Sequence, residues 1–286
     1  MTPPPATGMA TTRTTPARSA GRSSAARRLR VWLAEQVLVA AIVVAVFGAW
    51  EVGVGVFRVP PFILPPPSQI LTHLVSARAL LLEHTWITAS EVVIGFLLSV
   101  VIGVPLAVGI VYSRIFAKVA YTFIVPLQTI PKVALAPLVV LWFGYGLLPK
   151  VLVACLISFF PVVIASVVGF RSIEQEMLYL ARSLDASEWQ VFLKFRLPRA
   201  LPNIFGGFKV GIGQAVVGAV VGEFIAAERG LGYLQIVSSS KLETSLLFGS
   251  VVVISLVGLV LFGLLVVVER LAMPWHQPVE TTGQGA

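Results

Sequence analysis

The chain has 286 residues, 57% of them hydrophobic and 12% charged, with a formal net charge of +8 and a mean hydropathy of +0.92. No soluble globule of this length hides so much apolar surface, so the composition excludes a water-soluble fold and points to an all-helical membrane domain. A lone cysteine, Cys155, excludes a disulfide framework within one chain.

Residues 1–30 are rich in Pro, Thr, Ala, Ser and Arg and contain no acidic residue. That composition cannot bury a core and predicts a disordered, basic tail on the cytoplasmic side. A transit peptide has a similar bias, but Pro3, Pro4, Pro5 and Pro16 oppose the amphipathic helix it needs. The apolar run from Val31 is long enough to stay in the membrane as an anchor, so no cleaved signal is expected.

About 20 apolar residues span a bilayer, and six stretches qualify: 31–56, 87–112, 119–145, 149–170, 202–227 and 246–268. They form one domain, 31–276, followed by a short cytoplasmic tail, 277–286. With the N-terminus inside, Arg13, Arg18, Arg22, Arg27, Arg28, Arg30, Arg114, Lys118, Arg171, Arg182, Lys194, Arg196, Arg199 and Arg270 all lie inside. Arg58, Arg78, Lys150, Arg229 and Lys241 lie outside. The excess inside predicts six spans with both termini cytoplasmic. Basic residues distributed by topology, without a folded patch interleaved with aromatics, argue against a nucleic-acid partner.

After the first span, RVPPFILPPPSQI carries five prolines that favour a stiff, extended connection. Ser68 then starts a helix over about 68–84, with Ile70, Leu71, Leu74, Leu80 and Leu81 beside His73, Arg78, Glu83 and His84. That mixture predicts a helix lying along the outer interface. His73, His84 and His276 lack metal-ligand spacing and are expected at interfaces or in solvent, and no metal site is expected. Cys155 falls inside the fourth stretch and is expected to serve packing.

The third span holds Pro126, Pro131 and Pro137 together with Lys132. Its freed carbonyls need neighbouring helices, side chains or water, which leaves two readings open, kinked packing or the border of an aqueous path. In the fifth span Gly207, Gly211, Ala215, Gly218 and Gly222 line one helical face with small residues. Such a face serves packing within the chain, a two-fold interface or a pathway, and the pattern alone does not choose. Glu91, Lys132, Lys209 and Glu223 are the ionisable groups within apolar spans, where charge is costly and usually faces protein or water. Glu223 lies near the outer end of the fifth span, in VVGEFIAAERGLGYL; bracing of the gate is favoured over lining a path, where a fixed anion would repel an anionic solute.

Between the fourth and fifth spans, residues 172–199 are amphipathic and charged. The pattern predicts a short helix over 172–184, a turn at Asp185, and a second short helix over 186–195 presenting Trp189, Phe192 and Phe195 and ended by Pro198. Such helices are too short to be stable alone and suit a groove on a partner. Asp185, the only aspartate in the chain, is expected at a positive backbone dihedral, which it tolerates better than most residues at a cost of about 1 kcal/mol. With Glu188 three residues on, it also reads as the N-cap of the second helix.

The sequence ARSLDASEWQVFLKFRLPRALP over 181–202 resembles the cytoplasmic loop by which permease subunits of bacterial ABC importers dock on their ATPase. LPPPSQIL, IPKVALAPLVVLWFGYG and ERLAMPWH are similar to the nitrate, sulfonate and taurine branch of that permease family. The chain departs from the family pattern in lacking the leading Glu-Ala-Ala and in having Asp185 where Gly is usual. The resemblance implies a multi-pass protein of the bacterial inner membrane working as a homodimer, with a separate ATPase subunit and a periplasmic or lipid-tethered binding protein. It also implies that Ala181, Arg182, Ser183, Leu184, Asp185, Ala186, Ser187, Glu188, Trp189, Phe192, Leu197 and Pro198 form the coupling loop. Glu223, Lys132, Gly211, Gly218 and Gly222 are the pathway or gate candidates.

The chain has no G-x(4)-G-K-[ST], no H-E-x-x-H and no nucleophile–base constellation. It is therefore not expected to be an enzyme or to bind a cofactor; ATP and Mg belong to the partner ATPase. The implied cargo is a small organic anion, with a pyrimidine or other vitamin precursor as the alternative. A self-sufficient secondary transporter would show internal repeats with paired broken helices, and none is found.

Overall fold

The computed structural model describes residues 20–275, with the backbone alone for 20–33 and 35. The expected tails over 1–19 and 277–286, and His276, lie outside the described residues. The chain forms two compact units, Met1–Arg58 and Val59–Ala286.

Among the described residues, the first unit contains one helix, α1 (Ala20–Val56). Its apolar window is Gln36–Val56, 21 residues, about 30 Å long at 1.5 Å per residue. Residues 20–30 lie within this helix.

In the second unit α2 (Pro67–Ser76) has Pro at its first position, where a missing N–H costs nothing. The chain breaks at Ala77, and α3 (Arg78–Tyr112) follows. The interfacial helix expected over 68–84 is therefore two pieces, and residues 78–84 are the outer end of a membrane span. The reason is burial: Leu81 and His84 pack inward, a tertiary gain that periodicity over 68–84 does not reveal.

The register of small residues fixes the directions of the long helices. Gly95 of α3 faces Val151 and Ala154 of α6 (Leu147–Arg171), and Gly103 faces Val162 and Val163. Both numbers rise together, so α3 and α6 run parallel. Gly207 and Gly222 of α9 (Leu197–Ala226) face Ala165 and Lys150, so α9 runs antiparallel to α6. Gly258 of α11 (Thr244–Ala272) faces Val216, and Lys209 pairs with Glu269, so α11 is antiparallel to α9.

Parallel α3 and α6 require the segment between them to cross back. It does so as two helices, α4 (Arg114–Thr129) and α5 (Ala136–Phe143), with a 3-10 turn at Lys132–Leu135 between them and a bend of 94°. The third span is thus broken, at the proline-rich stretch where lost hydrogen bonds are expected, and the break is a right-angle turn. Ile130, before Pro131, is extended at φ −70, ψ 130, because a following proline disfavours the helical region. Among the described residues, five helices are long and apolar enough to cross a membrane, six with this bent pair counted as one span.

The seam of α6 and α9 is the centre of the core. A Cβ on Gly218 would lie 2.6 Å from Ala154 Cα, and one on Gly211 3.0 Å from Val162. Gly211, Gly218 and Gly222 therefore take part in helix packing within the chain. Towards the outer end Leu81, Leu231 and Leu234 pack together. Towards the opposite end Ile110, Phe170, Ala200 and Ile204 do so.

Candidate functional sites at the two membrane faces

At the face assigned to the cytoplasm, α7 (Gln175–Ser183) ends in a turn at Asp185. Asp185 has φ 49, its N–H donates to the Arg182 carbonyl, and the Ala186 N–H donates to the Ala181 carbonyl, both at 3.1 Å. This 6→1 and 5→2 pair is a Schellman motif, with Asp185 in its left-handed position. The positive dihedral expected of Asp185 is present. Its expected capping role is not, because the residue is committed to closing α7. Ser187 caps α8 (Glu188–Val191): its hydroxyl accepts from the Gln190 N–H (3.3 Å), and Gln190 Oε1 accepts from the Ser187 N–H (2.9 Å).

The second helix does not stop at Pro198. From Glu188 the chain stays helical to Ala226, passing through a wide π turn at Phe192–Arg196 in which the Leu197 N–H reaches the Phe192 carbonyl. One extra residue in the turn accommodates the missing donor of Pro198 without ending the helix.

Aromatic rings tie this loop to the spans. Phe192 packs on Phe170 of α6 (centroids 5.8 Å), Tyr112 of α3 (6.2 Å) and Trp189 (5.8 Å). The Arg196 guanidinium lies over Tyr112 at 4.9 Å and donates to the Phe170 carbonyl at 3.4 Å. Ala181 is buried, whereas Leu184 and Trp189 are 69% and 68% exposed, as are Arg182, Ser183, Ser187 and Glu188. Leu197 and Pro198 are half-buried at the start of α9. The result is an apolar surface with a charged rim, gripped from behind by α3 and α6.

At the opposite face, side chains of α3 and α9 cap a third helix. Helix α10 (Leu231–Ser240) starts after Gly230, and its first N–H groups have no partners within the helix. The Gly230 N–H donates to His84 Nδ1 (2.8 Å), the Leu231 N–H to Thr88 Oγ1 (2.8 Å), and the Gly232 N–H to Glu223 Oε2 (2.5 Å). The Thr88 hydroxyl donates to Glu223 Oε1 at 2.6 Å. Gly232 makes room for this arrangement: a Cβ there would lie 2.8 Å from Glu223 Oε2.

Glu223 is 1% exposed, and its hydrogen bonds brace the α9–α10 turn. His84, expected in solvent or at the interface, is buried as an acceptor in the same cluster. One turn below Thr88, fully buried Glu91 forms an ion pair with Lys150 of α6. Gly222 lies against the Lys150 stem, 3.0 Å from its Cα. A cavity of about 400 Å³ opens beside the pair, with Glu228 and Arg229 also on its wall.

The four intramembrane ionisable groups thus divide three to one. Glu91 pairs with Lys150, Lys209 with Glu269 at 2.5 Å, and Glu223 is hydrogen-bonded on both oxygens. Lys132 has no acidic partner among the described residues. Cys155 is buried, as expected of a packing residue. Sequence reasoning missed Thr88, His84 and Lys150; the legible signal was the pair of glycines after Glu223, which leaves backbone donors needing acceptors.

Residues 99–273 match the binding-protein-dependent transport system inner membrane component family. The chain belongs to this family. It is 38% identical over 229 residues to the riboflavin transport system permease protein RibX of Chloroflexus aurantiacus, covering 79% of this chain and 85% of RibX. It is 31% identical over 229 residues to the formylaminopyrimidine transport permease protein ThiX of Halalkalibacterium halodurans (80% and 91%). The same identity over 229 residues links it to the taurine transport system permease protein TauC of Escherichia coli (78% and 83%). The fold is similar to that of the MetNI methionine ABC transporter in an inward-facing form, with a TM-score of 0.57 and 17% identity over 70% of this chain and 97% of that one. The chain is accordingly an ABC importer permease, a multi-pass membrane protein, and the resemblance read from its loop and span motifs is borne out.

Proposed function

We propose that this permease forms, as a homodimer, the path of an importer driven by a separate ATPase subunit, and that residues 177–192 are the surface on which that ATPase docks. The carrying observation is the exposed apolar pair Leu184 and Trp189, set on a loop whose Phe192 and Arg196 pack on α3 and α6. An apolar patch in water, rimmed by Arg182 and Glu188, calls for a partner. Motion of that partner reaches two spans directly through the aromatic contacts. A binding protein delivers solute at the opposite face.

The cargo we propose is a small organic anion. Glu223 is out of the path, which removes the fixed anion that would have repelled such a solute, and similarity to the taurine permease supports this class. A second reading, a vitamin or its heteroaromatic precursor, is favoured by the higher identity to RibX and by the match to ThiX.

The test is a mild-detergent pull-down of tagged chain from its host with mass spectrometry. Wild type retains an ATPase subunit in about equal amount, and the double variant Leu184→Asp, Trp189→Asp inserts normally but loses it. Both residues are exposed, so the variant leaves the packing intact. Retention of the ATPase by the variant refutes the docking surface; its absence from wild type refutes the importer assembly. Binding of labelled sulfonate and flavin to the cognate binding protein separates the two cargo readings.

A further inference from the structure

We infer that Lys132 faces water in the middle of the membrane and is the cationic contact for an anionic group of the passing solute. This deepens the importer reading and rests on it. Three observations carry the inference. The first is depth. The Lys132 ammonium lies 4.8 Å from the centroid of the Phe160 ring, and Phe160 has 13 residues of α6 before it and 11 after it (160 − 147 and 171 − 160). Lys132 is therefore near mid-span, too far from either surface for its side chain to reach the headgroups.

The second is charge. The other intramembrane ionisable groups read from the sequence each have a counter-charge or a full set of hydrogen bonds, whereas Lys132 has the ring face and the Gln128 carbonyl at 3.4 Å. A ring face and one long hydrogen bond do not replace the hydration of an ammonium, which has three donors. The third is the break. At the 94° bend between α4 and α5, Gln128 and Thr129 are exposed beside half-buried Lys132, and irregular backbone at membrane depth is tolerated only against protein or a water-filled cavity. Three polar side chains at one break, uncovered by their own chain, place water there. A carboxylate such as Glu91 or Glu223 does not oppose an anion on this face, because Glu91 is paired with Lys150 and Glu223 is hydrogen-bonded at the α9–α10 turn.

The experiment uses membrane vesicles from the native host and the full-length chain with Cys155→Ala and Gln128→Cys, the position across the break whose carbonyl lies 3.4 Å from the Lys132 ammonium. Charged, membrane-impermeant thiosulfonate reagents, one anionic (ethylsulfonate) and one cationic (ethyltrimethylammonium), probe the site, with buried Cys155 of the wild type as the unreactive control. Both reagents label position 128. The ratio of anionic to cationic labelling rates falls about tenfold with Lys132→Gln, as expected for removing one nearby charge in partly hydrated surroundings, and stays within about threefold of the parent with Lys132→Arg.

No labelling at 128, or a ratio unchanged by Lys132→Gln, overturns the inference. An equal loss with Lys132→Arg traces the effect to disturbed packing on Phe160 and overturns it too. Failure of the importer reading is separate, since it shows as absence of an ATPase subunit in the pull-down, whereas labelling at 128 reads water and charge directly.

Discussion

Replacing Glu223 with Ala removes the acceptor of the Gly232 N–H and of the Thr88 hydroxyl. The two losses are unequal. Thr88 Oγ1 also lies 3.2 Å from the His84 carbonyl, so its proton has a second acceptor and that loss is small. The Gly232 N–H has no such alternative at a site buried by Leu231 and Leu234, and an orphaned buried donor costs about 1–3 kcal/mol. The emptied space adds a cavity term of about 1–2 kcal/mol. The expected destabilisation is therefore about 2–5 kcal/mol, concentrated at the α9–α10 turn. Glu223→Gln keeps one carbonyl acceptor for Gly232, and its amide can donate to Thr88 Oγ1, so it costs less than about 1.5 kcal/mol. Amide hydrogen exchange of peptides spanning 228–236, read with the melting temperature in detergent, orders the three proteins as wild type, Gln, Ala. If the Ala variant exchanges at the wild-type rate in this peptide, the bracing role of Glu223 is wrong, whatever happens to transport.

Two further predictions concern glycine. Gly218→Ala places a methyl 2.6 Å from Ala154 Cα, a backbone atom that cannot step aside, whereas Gly213→Ala on the same helix meets nothing within 4 Å. Overpacking costs about 1–3 kcal/mol, so the first variant melts several degrees lower and the second does not; coincident melting curves would show that the α6–α9 seam is not as close as described. Asp185→Gly relieves the strain at φ 49 and keeps both Schellman hydrogen bonds, so stability rises by up to about 1 kcal/mol and transport persists, whereas loss of transport in vesicles would reveal a contact made by the Asp185 carboxyl itself.

The spans and the loop between α6 and α9 were legible because each is written locally: about 20 apolar residues, a proline-rich connection, a short amphipathic stretch. The break at Pro131 was legible as a break but not as a right-angle turn, since the sequence states where hydrogen bonds are lost and not where the chain goes next. The cap of α8 was misread by two residues for a specific reason. Asp185 and Ser187 are both good N-caps, each with a suitable side chain three residues on, and the choice is made by the preceding helix, whose Schellman closure occupies Asp185.

Long-range polar pairing was the least legible feature. Glu91 meets Lys150 across 59 residues (150 − 91), and Thr88 meets Glu223 across 135. Nothing local announces either partner, yet the cost of an unpaired charge in the bilayer narrows the search: every ionisable residue inside a span must find a counter-charge, a set of hydrogen bonds or water. Glu91, Lys209 and Glu223 each find theirs inside the helix seams, where glycines such as Gly222 and Gly232 leave the space. Applied to Lys132, the same rule finds no acid and no seam, and the parallel course of α3 and α6 explains its position. A segment forced to recross the membrane with a proline break at its middle cannot close its own hydrogen bonds at mid-span, so the uncompensated cation and the uncompensated backbone fall together, on a stretch solvated from outside the fold.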